Sequence, residues 1–273
     1  MNSSMVCRIG GVGLLGAGLP GWTASRTVLA GERAWHPEPP AIPAPAMLPA
    51  TERRRASLVV RLALAAAAEA VAGQAGTADD EADDASQLDT VFASGNGDGA
   101  TVGAILEALT QPGGDVSPTQ FHNSVHNAAA GYWGIGARSM RPSTSLGGHD
   151  DTFPLGLLQA AAQVAWTGRP VLFCACDAPM PPPLDSVRPC GPPFAVALLL
   201  RPDNRRGASL VLRYSGDTLP GSTASASPLR LALEDGNPAA RALPLLEALA
   251  GNRTLRHGWA LRDGGMVLAE FAP

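Results

Sequence analysis

The side chains able to do chemistry in this chain gather in a few short stretches: His122 with His126, Ser145, His149 with Asp150 and Asp151, and Cys174 with Cys176. His122 and His126 are four apart on an expected helix, the spacing of two zinc ligands, and His149 or Asp150 could complete such a site. No glutamate accompanies the pair, so packing is the expected role and no metal is expected. Ser145, His149 and Asp151 include the residue types of a hydrolytic triad, but no Gly-x-Ser-x-Gly elbow frames the serine. Asp150 and Asp151 stand just before Thr152-Phe153-Pro154. Acids there would accept from the free N–H groups of a helix start and suit its dipole, with proline tolerated in the first turn. His149 and Asp150 are also the pair that an acyl-handling hydrolase or decarboxylase would use.

Other chemistry is excluded by what is absent. All 20 basic residues are arginine, which removes Schiff-base and lysine-acid chemistry. The four cysteines, Cys7, Cys174, Cys176 and Cys190, give no secreted disulfide framework in 273 residues. Cys174 and Cys176, placed on opposite faces of an expected strand, are read as core thiols. Gly95-x-Gly-x-Gly99 lacks the glycine spacing and downstream acid of a dinucleotide site, so a tight turn is expected and no cofactor. A net charge of −4 argues against nucleic acid. The apolar stretch Ile9–Leu19 after Arg8 is interrupted by glycines and reads as a strand and turn of a folded domain, not a signal peptide. No other apolar run reaches the roughly 18 residues of a membrane helix, so a cytoplasmic chain with no membrane contact is expected.

The elements that must position these residues follow from periodicity. Strands are expected at Val6–Leu15, Thr90–Ala93, Ser143–Leu146, Val171–Cys176 and Met266–Phe271, with Phe194–Leu200 and Ser209–Tyr214 pairing with each other. Helices are expected over Gly21–Ala30, Glu52–Ala72, Val102–Leu109, Thr119–Ile135, Thr152–Trp166 and Ala239–Ala250. The run Asp79–Asp84 reads as an acidic loop and Ser215–Pro228 as a Ser/Thr/Gly linker. Strands alternating with helices argue for an α/β layered sheet, and 45% hydrophobic content for a substantial core.

Several of these pieces follow, in order, the N-terminal half of a ketosynthase. Ile9-Gly-Gly-Val-Gly-Leu-Leu-Gly16 resembles that family's first strand and turn, and Phe92-Ala-Ser-Gly-Asn-Gly97 a later strand and glycine turn. Ser117–Ile135, with its Asn, Ala-Gly and Ile, leads into Arg141-Pro-Ser-Thr-Ser-Leu146 much as the family's chain leads to its nucleophile. Within the beta-ketoacyl synthase group the chain is most similar to the short chain-length-factor-like subunits of aryl polyene synthases, a type II polyketide system. The resemblance implies a thiolase-like fold: residues 1–215 as the ketosynthase N-terminal half, a layered mixed sheet with helices on its faces, and residues 216–273 as a linker and short C-terminal remnant packed on it.

The departures from the family carry as much information. Active members end that strand in Ala-Cys, and the helix dipole and a backbone N–H serve the thiolate. Here His149 and Asp150 fill those positions, and no matching motif surrounds His257, the histidine nearest to where the second half would supply its base groups. The resemblance therefore implies a subunit that makes no bond itself. It would pair with a catalytic ketosynthase through Ser143–Leu146, including Ser145, and meet acyl carrier protein through that complex. The stretch Thr119–Ile135 would lie at the interface, with His126 on it. Phe121, Tyr132 and Trp133 there are either a tunnel floor for the partner's chain or ordinary core and interface aromatics. Besides the hydrolase or decarboxylase, a homodimeric scaffold binding carrier protein remains an alternative.

Overall fold

The strand β1 (Met5–Gly16) organises the sheet. In a computed structural model, which describes residues 4–74, 82–217, 227–234 and 236–273, β1 lies in the interior of an eight-stranded sheet. The other strands are β2 (Asp89–Ala93), β3 (Ser143–Leu146), β4 (Val171–Asp177), β5 (Phe194–Pro202), β6 (Ala208–Ser215), β7 (Leu255–Ala260) and β8 (Met266–Ala272). Their order is β3-β2-β4-β5-β1-β6-β8-β7; β3, β2 and β4 are mutually parallel, and every other pairing is antiparallel. The expected pairing of Phe194–Leu200 with Ser209–Tyr214 is corrected: β1 inserts between them, Leu14 opposite Val196 on one side and Cys7 opposite Leu210 on the other.

The helices are α1 (Trp22–Leu29), α2 (Ala50–Arg55), α3 (Leu58–Ala72), α4 (Gly99–Leu109), α5 (Pro118–Asn123), α6 (Ala128–Ala137), α7 (Thr152–Thr167), α8 (Pro228–Leu233) and α9 (Leu243–Ala250). On one face Leu62, Ala66 and Ala70 of α3, with Trp133 of α6, cover Leu15, Phe92, Leu172, Cys174 and Leu199. On the other face Phe153, Leu157 and Val164 of α7 cover Val91, Phe173, Val196 and Leu198, joined by Leu243 and Leu246 of α9. The glycines of β1 let α3 come close. A Cβ at Gly11 would collide with the Ala70 carbonyl oxygen and one at Gly13 with that of Ala66, so only glycine fits beneath this helix.

Four expectations change. The helix through Glu52–Ala72 breaks at Ala56, and Ser57 restarts it as a side-chain cap, its Oγ accepting from Val60 N at 3.4 Å. The helix Thr119–Ile135 is split into α5 and α6. Asn123 Nδ2 donates to the Arg55 carbonyl at 2.8 Å and Ser124 Oγ to the Phe121 carbonyl at 2.8 Å, side-chain bonds that compete with helix continuation. Ala239–Ala250 opens as a 3₁₀ turn, Pro238–Ala242, before α9. Cys174 and Cys176 share one face, as residues two apart on a strand must, and both sit in the α3 layer. The tail also contributes α8 and the strand β7, neither of which the sequence pattern suggests. Residues 79–81 of the expected acidic loop and 218–226 of the expected linker lie outside the described residues.

Candidate functional site

The three parallel strands β3, β2 and β4 end side by side, and the loops after them meet at the start of α7. Such carboxyl ends are where open α/β sheets gather functional groups. After β3, Gly147 and Gly148 lead to His149, whose φ of 54° is the left-handed region that a non-glycine residue rarely adopts. Thr152 fastens this elbow: its Oγ1 donates to the His149 carbonyl at 2.6 Å and accepts from Gly148 N at 3.0 Å.

The carboxylates of the elbow do not cap α7, as was expected of them; neither makes a capping bond to the helix start. Arginines brought from far along the chain take them instead. Asp150 Oδ1 lies 2.6 Å from Arg188 Nη1 and its Oδ2 3.1 Å from His149 Nδ1, with the side chain 54% exposed. Partial burial pushes the Asp150 carboxyl upward, but the Arg188 hydrogen bond and charge, then His149, outweigh it and hold the group below the usual range. Asp151 is buried: Oδ1 accepts from Arg241 Nη1 at 2.6 Å and Oδ2 from Arg262 N at 2.7 Å, tying the elbow to the tail. Arg262 Nη1 also stands 3.4 Å from His149 Nδ1.

Behind the elbow, the buried Asp177 at the end of β4 organises the loop after β2. Its Oδ1 accepts from Ser94 Oγ at 3.0 Å and Asn96 N at 2.9 Å, and Asn96 Oδ1 accepts from Arg188 Nε at 2.7 Å. Burial raises the Asp177 carboxyl to about 6, against the lowering effect of these hydrogen bonds and of Arg188. One network thus runs from Asp177 through Asn96 and Arg188 to Asp150. It is built of groups that hold one another. Among the described residues no hydrogen bond joins Ser145 to His149, and no group of three or more His, Cys, Asp or Glu could hold a metal ion. The thiols stand elsewhere: Cys174 and Cys176 within β4, Cys7 within β1, Cys190 in the segment after β4. Burial raises Cys7 and Cys190 to about 12.

The remaining expected residues scatter. His122 lies on α5, and His126 lies in the turn between α5 and α6. His126 Nε2 is 2.9 Å from the Ser94 carbonyl, whereas His122 packs edge-on against Tyr132, ring centres 6.1 Å apart. Tyr132 and Trp133 are fully buried in this chain's own core, Tyr132 donating to Asn123 Oδ1 at 3.1 Å and Trp133 lying 6.5 Å from Phe92. Their burial favours the core role among the two open for them; Phe121, 67% exposed, stays at the surface. Ser143, Ser145 and Leu146 form the open edge of the sheet, Ser143 Oγ accepting from Thr90 Oγ1 at 2.7 Å. A cavity under this region, lined by Val59, Phe92, Ser94, Asp98, His126 and Cys176, measures about 20 Å³. That is room for about one water and none for an acyl chain. Sequence reasoning missed Arg188, Arg241, Arg262 and Asp177, which lie in no motif, and the role of Asn96 within Phe92–Gly97; all meet the elbow only through the fold.

The sheet, its two helical layers and the elbow between β3 and α7 define a thiolase-like ketosynthase fold. The chain belongs to the beta-ketoacyl synthase N-terminal domain family, which matches residues 27–257. It is similar to a chain in the structure of the ketosynthase ApeO in complex with its chain length factor ApeC from Xenorhabdus doucetiae, at 21% identity and a TM-score of 0.69, over 98% of this chain and 99% of that one. A chain of the ishigamide ketosynthase/chain length factor matches at 13% identity and a TM-score of 0.71, over 97% and 99%. One from AntDE:AntF, a type II polyketide acyl carrier protein in complex with its ketosynthase, matches at 12% identity and 0.73, over 99% of both. No curated protein matches the sequence. Among the described residues no helix is long and apolar enough to cross a membrane.

Proposed function

We propose that this chain is a non-condensing, chain-length-factor-like subunit that pairs in the cytoplasm with a catalytic ketosynthase making an aryl-polyene-type chain on acyl carrier protein. The observation that carries this reading is the elbow. Its positions hold His149 and an Asp150 that stays ionised against Arg188, where condensation needs a thiolate. A paired carboxylate is a poor acyl acceptor, and the chain has no lysine to assist decarboxylation. The same pairing weighs against a hydrolase or decarboxylase built on His149 and Asp150.

A missing partner is supported by what the fold leaves uncovered. The apolar helix α4 buries only Gly99, and Leu106, Leu109, Phe121 and Val125 stand exposed around it. The edge strand β3 has β2 as its one neighbour and carries no lysine, proline or bulge to guard it. On this reading Ser143, Ser145, Leu146 and Phe121 belong to the interface. Residues 1–215 act as the ketosynthase-like half, and 216–273 as a remnant clasping the elbow through Arg241 and Arg262.

Incubation with acyl-loaded carrier protein, followed by intact-mass analysis, tests the non-condensing part: no acyl adduct is expected on this chain. Co-expression with a ketosynthase from the same genome, then sizing chromatography, tests the pairing. A stable adduct, or a chain that elutes alone beside the ketosynthase, would sink the proposal.

A further inference from the structure

The last turn of α1 and the segment after it meet α8 and α9 around a cavity of about 490 Å³. Its walls come from opposite ends of the chain, residues 28–35 on one side and 227–253 on the other. Small-molecule sites of about 300–1,000 Å³ favour seams of this kind. The floor is apolar. Val28, Leu29 and Leu229 are buried, and the half-buried Trp35 is fixed by its Nε1, which donates to the Ala17 carbonyl at 2.9 Å. Two exposed guanidiniums complete the lining, Arg33 and Arg253. Each makes one long bond to a carbonyl, Arg33 Nη2 to Ala24 at 3.5 Å and Arg253 Nη2 to Glu247 at 3.4 Å. Neither forms an ion pair among the described residues, so most of the N–H donors of each fork are available. The one carboxylate of the lining, Glu247, is engaged already, its Oε1 accepting from Ser227 Oγ at 2.7 Å. Two other cavities lack this pattern of charge. One of about 420 Å³ shares Val28 and Arg33 but has Glu38 and no second arginine. In one of about 430 Å³, Arg256 has Glu270 as its cross-strand neighbour.

We propose that this cavity binds a small carboxylic acid with an apolar body, the carboxylate held by Arg33 and Arg253 and the body lying on Trp35 and the three aliphatic side chains. The planar fork of arginine matches a carboxylate through two parallel hydrogen bonds. Two such forks beside an acid that is already engaged give the lining a surplus of positive charge. An inorganic anion would satisfy the forks and leave the apolar floor uncovered; an alkyl or aryl body removes that floor from water. A neutral apolar molecule would cover the floor and leave the forks without a counter-charge. The bound acid would also tie α8, near the end of the chain, to α1, near its start. The inference stands whether or not the chain pairs with a ketosynthase.

Octanoate is the probe, titrated calorimetrically into the full chain, with its ketosynthase or without. A Kd on the order of 100 μM is expected, in keeping with a ligand of about ten heavy atoms. Arg33→Gln and Arg253→Gln should each weaken binding about 10-fold, and the double variant should lose this site. Both positions are exposed, so the variants should keep the wild-type circular dichroism. Octanol, with the same body and no charge, and phosphate, with charge and no body, should each bind at least about 10-fold more weakly than octanoate. Hydrogen-exchange mass spectrometry should show octanoate slowing exchange in α1 and α8 of the wild type and not of the double variant. That comparison places the site even where a partner subunit takes up octanoate of its own. Octanoate binding and protection unchanged in the double variant, or no binding by the wild type, overturns the site. Octanol or phosphate binding as tightly as octanoate overturns the ligand class.

Discussion

The parallel strands β3, β2 and β4 have a carboxylate paired with arginine at each end, and the two arrangements are energetically unlike. At the head, Asp89 is 4% exposed and meets Arg141 and Arg169; at the elbow, Asp150 is 54% exposed and meets Arg188. Water competes for the second pair and is nearly excluded from the first. A desolvated carboxylate depends on its partners to offset its burial, whereas an exposed one loses little when they go. The head is thus built to fix geometry, and the elbow, where the fold would place chemistry, holds an ion pair of small consequence for stability.

The largest effect should come from the head. Arg141→Met together with Arg169→Met leaves Asp89 buried without partners, and urea denaturation should show a loss of about 3–5 kcal/mol. A loss below about 1 kcal/mol would erase the contrast between the two ends.

Behind the elbow, Asp177 should make stability depend on pH. Its folded value of about 6 lies above the ordinary aspartate value of 3.8, so between the two the folded chain binds the extra proton. Stability contributed by this group therefore rises as pH falls from above 6 toward 4, by on the order of 2 kcal/mol, and Asp177→Asn should flatten that part of the profile. A profile with the same slope in the variant would assign it to other groups. Asp151, buried against Arg241 and Arg262, comes next. Asp151→Ala is expected to cost about 1–3 kcal/mol and to speed amide exchange in β7 and at the β7–β8 turn, read by hydrogen-exchange mass spectrometry. The smallest change belongs to Asp150→Ala, expected within about 1 kcal/mol of wild type. A cost like that of the head would make the elbow a structural centre and end the comparison.

Local pattern sufficed for β1, β2, β3, β4 and α7, because period-two and period-3.6 apolar faces are written in consecutive residues. The order of glycine, asparagine and Pro-Ser motifs placed the elbow at His149 and Asp150. What failed was decided at long range. β5 and β6 look like a hairpin in sequence, but β1, nearly two hundred residues earlier, pairs with both and separates them. The break before α6 depends on the Arg55 carbonyl, 68 residues from Asn123. The arginines of the elbow come from 38 to 111 residues away. Tyr132 and Trp133 were ambiguous for another reason: aromatic rings serve cores and interfaces alike, and their burial beside α3 is decided by the fold rather than by local pattern.

The position of β1 also bears on how the chain emerges from the ribosome. Its two neighbours, Phe194–Pro202 and Ala208–Ser215, are translated last among the strands it needs. At about 5–20 residues per second, the first strand waits on the order of ten seconds or more with both apolar edges bare. Local helices such as α3 form long before that, so nascent chains arrested ahead of residue 194 should hold helix without a closed sheet. They should engage trigger-factor-like holdases through β1, and release should coincide with the appearance of the sixth of these strand-forming segments rather than with any earlier helix.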